Sequence, residues 1–405
     1  MPFFIHDQKR ALGRLHAGDP QHADLIEFLG STVDRFAAER LAPRAAAHDE
    51  AETFDPDTFR ALGSTGFMAL QFGEDVGGLG AAFTYAVAGL ESLAKADAGF
   101  TLGVAIHGTT ADGIYRYGSE ALRQRYVPGL VRGELIGCFG LTEPDSGSDA
   151  RALRTTYRRD GDSYLLSGTK YWITNGPSAQ VFFIIARDST ADRLSAFVVE
   201  PGWAGTFEIQ PIKEKMGVRG SNTAMLVFED YRVPAENLVG EEGNGFKYAM
   251  HMLNGGRVTV GGWSTGVAQG AYEKLLRYAH ERQLFGKRLI DLDNTKRELS
   301  EMLIDIHTGR VLSYAAALDK TRGLDYAAEA AIAKVAASEA AVRVGERAIE
   351  LAGGYGYVRD SRIERHLRDA LLARIGEGAN ELLKIMVIPR VIEKRLAAEP
   401  TPDLW

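Results

Sequence analysis

Glu377 stands between two glycines near the end of the chain, in the segment Ile-Gly-Glu-Gly-Ala-Asn-Glu at residues 375–381. A carboxylate that is withdrawn from water has a raised pKa and can remove a weakly acidic proton from a bound molecule. The neighbouring Gly376 and Gly378 permit tight backbone turns and close approach of that molecule. A solvated helix cap is the more common explanation of a lone glutamate between glycines, so this segment alone does not establish a base.

Two further segments carry polar side chains that could line a binding site. Residues 138–150 read Cys-Phe-Gly-Leu-Thr-Glu-Pro-Asp-Ser-Gly-Ser-Asp-Ala, and a turn followed by a helix cap accounts for them, because Thr, Asp and Ser bond to nearby backbone amides. Residues 170–176 read Lys-Tyr-Trp-Ile-Thr-Asn-Gly, and the Asn-Gly pair is typical of a β-hairpin turn. Each segment is ambiguous alone, and their order in one chain is what carries information.

Other chemical motifs do not occur. The Gly-Leu-Gly at residues 78–80 lacks a third glycine at the spacing of a dinucleotide-binding loop, and the sequence contains no phosphate-binding Gly-x-x-x-x-Gly-Lys-Ser/Thr. The nine histidines include no His-Glu-x-x-His, so we expect no metal site. Cys138 is the one cysteine, which excludes an intramolecular disulfide and favours a reducing compartment.

The spacing of apolar residues divides the chain into three regions that must position these segments. Residues 21–133 repeat apolar side chains at three- and four-residue steps, the spacing of helices. Short β-branched and aromatic runs then predict an antiparallel sheet or barrel, and long helical patterns follow at residues 271–284, 296–319, 325–352 and 379–396. We expect a helical domain at 1–135, a β-barrel domain at 136–246 and a helical bundle at 247–405.

Composition limits the possible partners. Lys and Arg number 47 against 54 Asp and Glu, a formal net charge of −7, which opposes non-specific binding to nucleic acid or anionic membrane. The sequence has no apolar run of the length that a membrane span needs and no secretion signal at its start. We expect a soluble cytoplasmic protein that binds neither nucleic acid nor membrane.

In combination, these segments resemble the acyl-CoA dehydrogenase family, in which a Thr-Glu-Pro-x-x-Gly-Ser-Asp loop and a Trp-Ile-Thr-Asn strand enclose the flavin. The resemblance runs from about residue 66 to residue 392 and includes residues 77–80, 215–219, 228–234, 243–246, 282–287, 353–357 and 368–370. Within the family, residues 251–257 and 328–340 look closest to the very-long-chain branch, without its membrane-associated C-terminal extension. The resemblance implies a mainly α fold with a central β-barrel and a C-terminal four-helix bundle, assembled as a homotetramer, a dimer of dimers.

The resemblance also implies an FAD site between the β domain and the bundle. The corresponding cofactor-binding residues are Leu141, Thr142, Gly147, Ser148, Trp172, Ile173, Thr174, Arg282, Phe285, Glu350, Gly353 and Gly354. Among them, Arg282 and Phe285 correspond to residues that reach the FAD of a neighbouring subunit. The corresponding substrate-binding residues are Ser148, Asn254, Arg257, Gly376 and Gly378.

For the reaction, the resemblance implies that Glu377 removes the α-proton of an acyl-CoA while the β-hydride passes to flavin N5. The product is then a trans-2-enoyl-CoA, and the electrons continue to electron-transferring flavoprotein. Some family members place the base just before the arginine that corresponds to Arg257, but this chain has Gly256 there. Glu377 is therefore the candidate base.

Two alternatives remain open at this point. An oxygen-using flavin oxidase or monooxygenase of the same fold is the first, although such monooxygenases commonly lack the glutamate. The second is a catalytically silent acyl-thioester-binding protein, because residues that border FAD differ from the family pattern. They are Leu292, Asp293, Glu350, Ala379 and Lys384, and two of them add negative charge near an anionic cofactor.

Overall fold

The computed structural model describes residues 3–398, which form a helical, a β and a second helical region in that order. The first region consists of α-helices joined by short 3-10 and π turns, one of which, Glu74–Val76, lies in the glycine-rich loop. The helices of this region are α1 (Phe3–Leu15), α2 (His22–Phe28), α3 (Ala45–Ala51), α4 (Pro56–Gly63), α5 (Phe83–Ala96), α6 (Ala98–Tyr117) and α7 (Glu120–Val131).

Asp97 separates the two buried helices of this region. Its backbone is extended at φ −146°, and its side chain accepts a hydrogen bond from the N–H of Phe100. This N-cap ends α5 and begins α6 without a loop. The resulting bend lets both helices pack against one long helix of the third region.

The β region is one eight-stranded sheet in the order β6-β7-β3-β2-β4-β5-β8, with β1 beside β4. The predicted antiparallel sheet or barrel differs from the structure at two pairings, because β4 runs parallel to both β1 and β2. The long polar loop connects β1 to β2, and both of these strands run parallel to β4. A tight hairpin would instead make two consecutive strands antiparallel. The strands are β1 (Gly137–Gly140), β2 (Thr156–Asp160), β3 (Ser163–Thr174), β4 (Val181–Asp188), β5 (Leu194–Val199), β6 (Thr206–Pro211), β7 (Thr223–Pro234) and β8 (Leu238–Val239).

The third region is helical apart from a two-stranded hairpin. Its elements are α8 (Gly245–Glu281), β9 (Gln283–Leu284), β10 (Lys287–Arg288), α9 (Asp293–Thr321), α10 (Ala327–Ala352), α11 (Gly354–Tyr357), α12 (Ile363–Ala373), α13 (Asn380–Leu382) and α14 (Ile388–Ala398). The predicted segment 379–396 is two helices joined by the π turn Leu383–Val387. Along residues 3–398, none of the helices combines the length and apolarity needed to cross a membrane.

Helix α8 is much longer than the predicted segment 271–284. Its first half is rich in glycine, which lowers intrinsic helix propensity by about 1 kcal/mol per residue relative to alanine. Packing explains why the helix forms: a Cβ on Gly262 would lie 2.5 Å from a Val87 methyl carbon, and one on Gly266 would lie 2.2 Å from the Glu91 carbonyl oxygen. The glycines therefore allow α5 to lie directly on α8.

The three regions follow the predicted helical, β, helical order, and the domain boundaries at residues 135 and 246 stay a prediction. A buried ion pair ties the first region to the third: Arg310 Nη2 on α9 lies 2.7 Å from Glu91 Oε1 on α5, and both side chains are fully buried. The hydroxyl of Tyr314 also donates to Glu91, at 2.6 Å. The charge of Glu91 is therefore fully compensated inside the protein.

We predict that Arg310→Met destabilises the protein by about 3–5 kcal/mol, because it leaves Glu91 buried with an uncompensated charge. Arg343→Met is the control, since Arg343 pairs with Asp305 at the surface of the same helical region and such pairs contribute about 0–1 kcal/mol. Denaturant unfolding of both variants measures the difference. Equal losses in the two variants would contradict the role assigned to Arg310.

Candidate active site

Glu377 lies in a tight loop that follows α12. The N–H of Asn380 donates to the carbonyl oxygen of Arg374 at 2.9 Å and closes the loop. Glu377 and Gly378 both have left-handed backbone angles, at φ +54° and +93°. Glycine adopts this conformation readily and glutamate rarely does, so the loop holds Glu377 in a strained position that the surrounding contacts must maintain.

The carboxyl group of Glu377 packs against the bare backbone of Gly256 on α8. A Cβ built on Gly256 would lie only 2.3 Å from Glu377 Oε2. Oε2 is buried and has no hydrogen-bond partner among the described residues, although Glu377 as a whole is partly exposed. The carboxyl therefore occupies the space that a side chain at position 256 would fill.

Burial raises the pKa of Glu377 to about 7, and nearby Arg257 and Lys334 limit the rise. A base with a pKa near neutrality is largely available at physiological pH and is stronger than an ordinary carboxylate. The absence of a hydrogen-bond partner for Oε2 also raises the pKa of Glu377, because a donor would stabilise the charged carboxylate. Glu377 therefore has the properties of a general base.

Two cations hold the loop in place through its backbone and its asparagine. Lys334 Nζ on α10 donates to the carbonyl oxygen of Gly378 at 2.8 Å and to Asn380 Oδ1 at 2.6 Å. Arg257 Nε donates to the carbonyl oxygen of Glu377 at 3.3 Å, and its Nη1 bonds Asn254 Oδ1 at 2.6 Å. Sequence reasoning named Asn254 and Arg257 but missed Lys334 and Asn380, whose contacts join positions 44 and 46 residues apart.

Gly376 and Gly378 play different parts in this loop. Gly378 needs its left-handed angle, whereas Gly376 has no such angle, and a Cβ built there would lie 3.4 Å from the carbonyl oxygen of Leu372. The backbone at Gly376 therefore accepts a side chain with a small adjustment. Gly378 does not.

A second group of predicted residues meets on the β region. Lys170 Nζ is buried and bonds the carbonyl oxygen of Leu141 at 3.1 Å and Glu143 Oε1 at 2.7 Å. Burial lowers the pKa of Lys170 to about 8. The N–H of Tyr171 donates to the carbonyl oxygen of Thr142 at 2.8 Å. These bonds fix the Leu141–Thr142 loop against β3, so the two polar segments lie in contact.

Trp172 presents its ring to the outside of this junction. The pairing of β3 with β7 shifts register between Lys170 and Ile173, Trp172 has a φ of +60°, and its side chain is 56% exposed. Ile173 points the other way, into the core of the sheet, so only its backbone can contact a ligand on the Trp172 side. An exposed indole on a strained backbone suits stacking against a flat aromatic ring, and the residues present therefore fit the isoalloxazine of FAD.

The remaining predicted cofactor residues lie elsewhere. Gly147 and Ser148 are exposed in the polar loop, and Glu350, Gly353 and Gly354 are exposed at the end of α10. Arg282 and Phe285 belong to the β9–β10 hairpin, where Phe285 is 89% exposed at a φ of +52°. This hairpin follows the C-terminus of α8, roughly 39 Å along the helix from Gly256 for about 26 residues at 1.5 Å each. One chain therefore does not bring Arg282 to its own Glu377.

Comparison with known proteins gives one consistent match. Residues 26–134, 138–231 and 243–392 match the N-terminal, middle and C-terminal domains of acyl-CoA dehydrogenase. The chain is 37% identical over 371 residues to the short-chain specific acyl-CoA dehydrogenase of Clostridium acetobutylicum, covering 90% of this chain and 97% of the relative.

Two solved structures have the same fold. A structure titled for the electron transferring flavoprotein of Acidaminococcus fermentans has a TM-score of 0.88 and 36% identity, covering 90% of this chain and 97% of its own. A glutaryl-CoA dehydrogenase from Mycobacterium smegmatis, in complex with FADH2, has a TM-score of 0.85 and 28% identity, covering 92% and 95%.

These comparisons do not support the predicted likeness to the very-long-chain branch, since the relative is a short-chain enzyme. Residues 251–257 and 328–340 suggested that branch. They lie in α8 and α10, which pack against each other, and a motif in these two helices does not by itself indicate the length of a substrate.

The raised pKa of Glu377 makes a testable prediction for stability. Between the ordinary carboxyl pKa of 4.5 and about 7, the unfolded chain loses this proton while the folded protein keeps it, so Glu377 lowers stability progressively as pH rises through this window. Glu377→Gln removes the effect. We expect the variant to gain up to about 3 kcal/mol relative to the parent between roughly pH 4.5 and pH 8, measured by denaturant unfolding.

The control is Glu381→Gln, which removes an exposed carboxylate from the same loop. Its unfolding, measured over the same pH range, gives the background of removing one exposed carboxylate, against which the profile of Glu377→Gln is compared. A flat profile for Glu377→Gln would show that its carboxyl is not desolvated.

Proposed function

Because this chain belongs to the acyl-CoA dehydrogenase family, we propose that it removes two hydrogens from the α and β carbons of a short acyl-CoA, with Glu377 as the catalytic base. The observation that carries this assignment is the carboxyl oxygen Oε2 of Glu377, which is buried, has no hydrogen-bond partner among the described residues and packs on Gly256. The product is the trans-2-enoyl-CoA.

The protein's own contribution is to hold a strong base beside an enclosed thioester. An α-proton of a thioester is too weakly acidic for water, so removal needs a desolvated carboxylate and a polarised carbonyl. The Glu377 loop supplies the carboxylate, and we assign its backbone N–H to the thioester oxygen. Lys334 and Arg257 hold the loop by its carbonyl groups, and Oε2 of the Glu377 carboxyl has no hydrogen-bond partner among the described residues.

FAD would supply the acceptor for the hydride that leaves the β-carbon. Leu141, Thr142, Trp172 and Thr174 would hold its ring against β3, and the buried Lys170–Glu143 pair keeps the first two in place. The family match and the flavin proteins among the solved neighbours support this cofactor. We also propose electron-transferring flavoprotein as the electron acceptor, supported by the similarity to the Acidaminococcus structure.

We propose a homo-oligomer, a dimer of dimers, as the active form. The support is the distance along α8 between Gly256 and Arg282, which lets the hairpin serve the site of another copy but not its own. Phe285 is consistent with this role, because a strained and almost fully exposed aromatic ring is typical of a contact made in an assembly.

We predict that Glu377→Gln keeps the fold but slows flavin reduction by an acyl-CoA by several orders of magnitude, on the scale of the ~10²–10⁴ contributed by a general base. Anaerobic stopped-flow bleaching of the flavin by butyryl-CoA measures the rate. The matched rescue is Gly256→Glu combined with Glu377→Gly, which moves the carboxylate across the space the two positions share.

Rescue is sterically possible only when Glu377 is removed, because a Cβ at position 256 otherwise meets Oε2 at 2.3 Å. Gly256→Glu alone should therefore fold poorly or lose activity, and the double variant should recover part of it. Substantial turnover by Glu377→Gln would sink the assignment of the base.

The oligomer proposal predicts that Arg282→Ala weakens FAD retention, because the guanidinium no longer pairs with an anionic pyrophosphate. Flavin titration after dialysis measures the loss, and sedimentation measures the assembly. Arg277→Ala is the control, since Arg277 is exposed one turn earlier on α8 and its recorded contact is a 4.0 Å pair with Glu273. A monomer with full FAD occupancy would contradict the proposal.

A further inference from the structure

A small cavity lies between the first region and α8, with a volume of about 40 Å³. Apolar side chains of α5, α6 and α8 form most of its wall, including Phe83, Val104 and Met252. This volume is the space open to the centre of a water-sized sphere, and a single water needs about 10–15 Å³ of it. The cavity therefore has room for roughly three water-sized groups.

The cavity adjoins the proposed base without containing it. Gly255 is part of its wall, and the next residue, Gly256, is the one against which the Glu377 carboxyl packs. A Cβ on Gly255 would face Lys320, whereas one on Gly256 would face Glu377. With its α-carbon at Glu377, a short acyl group that passes between these two glycine positions would bring its distal end to this cavity.

An ion pair interrupts the apolar wall. Lys320 Nζ on α9 lies 3.0 Å from Asp112 Oδ2 on α6, and the two side chains are 4% and 9% exposed. Arg116 Nε bonds the other oxygen of Asp112 at 2.8 Å. One carboxylate thus serves two cations, and the group carries a net positive charge.

Lys320 and Tyr326 converge on the same point above Gly255. A Cβ built on Gly255 would lie 3.2 Å from Lys320 Nζ and 3.9 Å from Tyr326 Oη. The Tyr326 hydroxyl is buried and has no hydrogen-bond partner among the described residues. The ammonium group of Lys320 has three N–H donors. One of them donates to Asp112.

Lys320 and Gly255 line the cavity, and Tyr326 lies behind Gly255. The remaining polar groups of the wall form hydrogen bonds away from this point or are partly exposed. Thr109 and Thr259 donate to backbone carbonyl groups of their own helices, and both ring nitrogens of His107 bond the backbone. Gln71 also lines the cavity and is partly exposed. A buried hydroxyl without a partner costs free energy, so the pair above Gly255 calls for an oxygen atom from a ligand.

We infer that the preferred acyl group carries an oxygen on its distal carbon, which accepts hydrogen bonds from Lys320 Nζ and Tyr326 Oη. This inference rests on the proposed function and names its substrate class: short acyl-CoA thioesters with an ω-carboxylate or an ω-hydroxyl. The net positive charge of the Lys320–Asp112–Arg116 group favours an ω-carboxylate. The Tyr326 hydroxyl can donate a hydrogen bond to an ω-carboxylate or to an ω-hydroxyl.

The test compares butyryl-, pentanoyl- and hexanoyl-CoA with their ω-carboxy and ω-hydroxy counterparts, by kcat/KM for flavin reduction in the holoenzyme. We expect the oxygenated member of at least one pair to be favoured by about 10- to 100-fold, the range for a hydrogen bond to a charged group. Tyr326→Phe should reduce that ratio about fivefold or more without loss of folding, because the hydroxyl bonds no protein group. Lys320→Met should reduce it most for the carboxylate.

Gly255→Ala provides a steric control, since its methyl group would fill the point between the two donors. It should lower the ratio while leaving turnover of the unsubstituted thioester less affected. Equal effects of all three variants on plain and oxygenated thioesters, or a preference of the parent for the plain ones, would overturn the inference.

Calorimetric binding of the matched enoyl-CoA products separates this inference from the proposed function. If no thioester reduces the flavin, the proposed function fails, and tighter binding of the oxygenated products would still support the site at Gly255. If plain thioesters reduce the flavin and bind as tightly as oxygenated ones, the function stands and the inference fails.

Discussion

The contact between the Glu377 carboxyl and the bare backbone of Gly256 is the constraint on which the site depends. It removes one carboxylate oxygen from water without giving it a hydrogen bond, which is the combination that raises a pKa. The contact requires α8 to present glycine at one position, α12 to end in a tight turn, and Lys334 to hold that turn through the Gly378 carbonyl. Cations that bonded the carboxyl directly would lower its pKa and weaken the base, so their attachment to the backbone is a functional feature.

The glycine-rich first half of α8 serves packing as well as chemistry. Gly262 and Gly266 let α5 approach closely, while Gly255 and Gly256 open the space used by the cavity and by the Glu377 carboxyl. One helix thus meets the structural and the chemical requirements with the same residue type. This explains why a sequence with poor intrinsic helix propensity forms the longest helix of the described chain.

The sequence predicted the order of the three regions, because helical and strand periodicities differ in spacing, and it predicted Glu377, Arg257 and Trp172 through motifs whose residues are neighbours in sequence. It did not predict the parallel pairing of β4, because strand direction depends on how far the chain travels between strands. Lys334, Lys320 and Tyr326 were missed for a related reason: their partners are distant in sequence, as with the 208 residues between Lys320 and Asp112, and a single lysine or tyrosine in a helical pattern carries no signal of its own.

Three of the proposed functional residues, Trp172, Phe285 and Glu377, share a left-handed backbone angle that costs an L-residue about 1–2 kcal/mol. Glycine or asparagine would relieve that cost at each position, so a redesign guided by stability alone would include these sites among its targets. It would remove the proposed aromatic platform, the proposed intersubunit contact and the proposed base in turn. Thermal robustness and chemistry therefore compete at the same three residues, and a thermostable variant that keeps its activity has to gain its stability elsewhere in the fold.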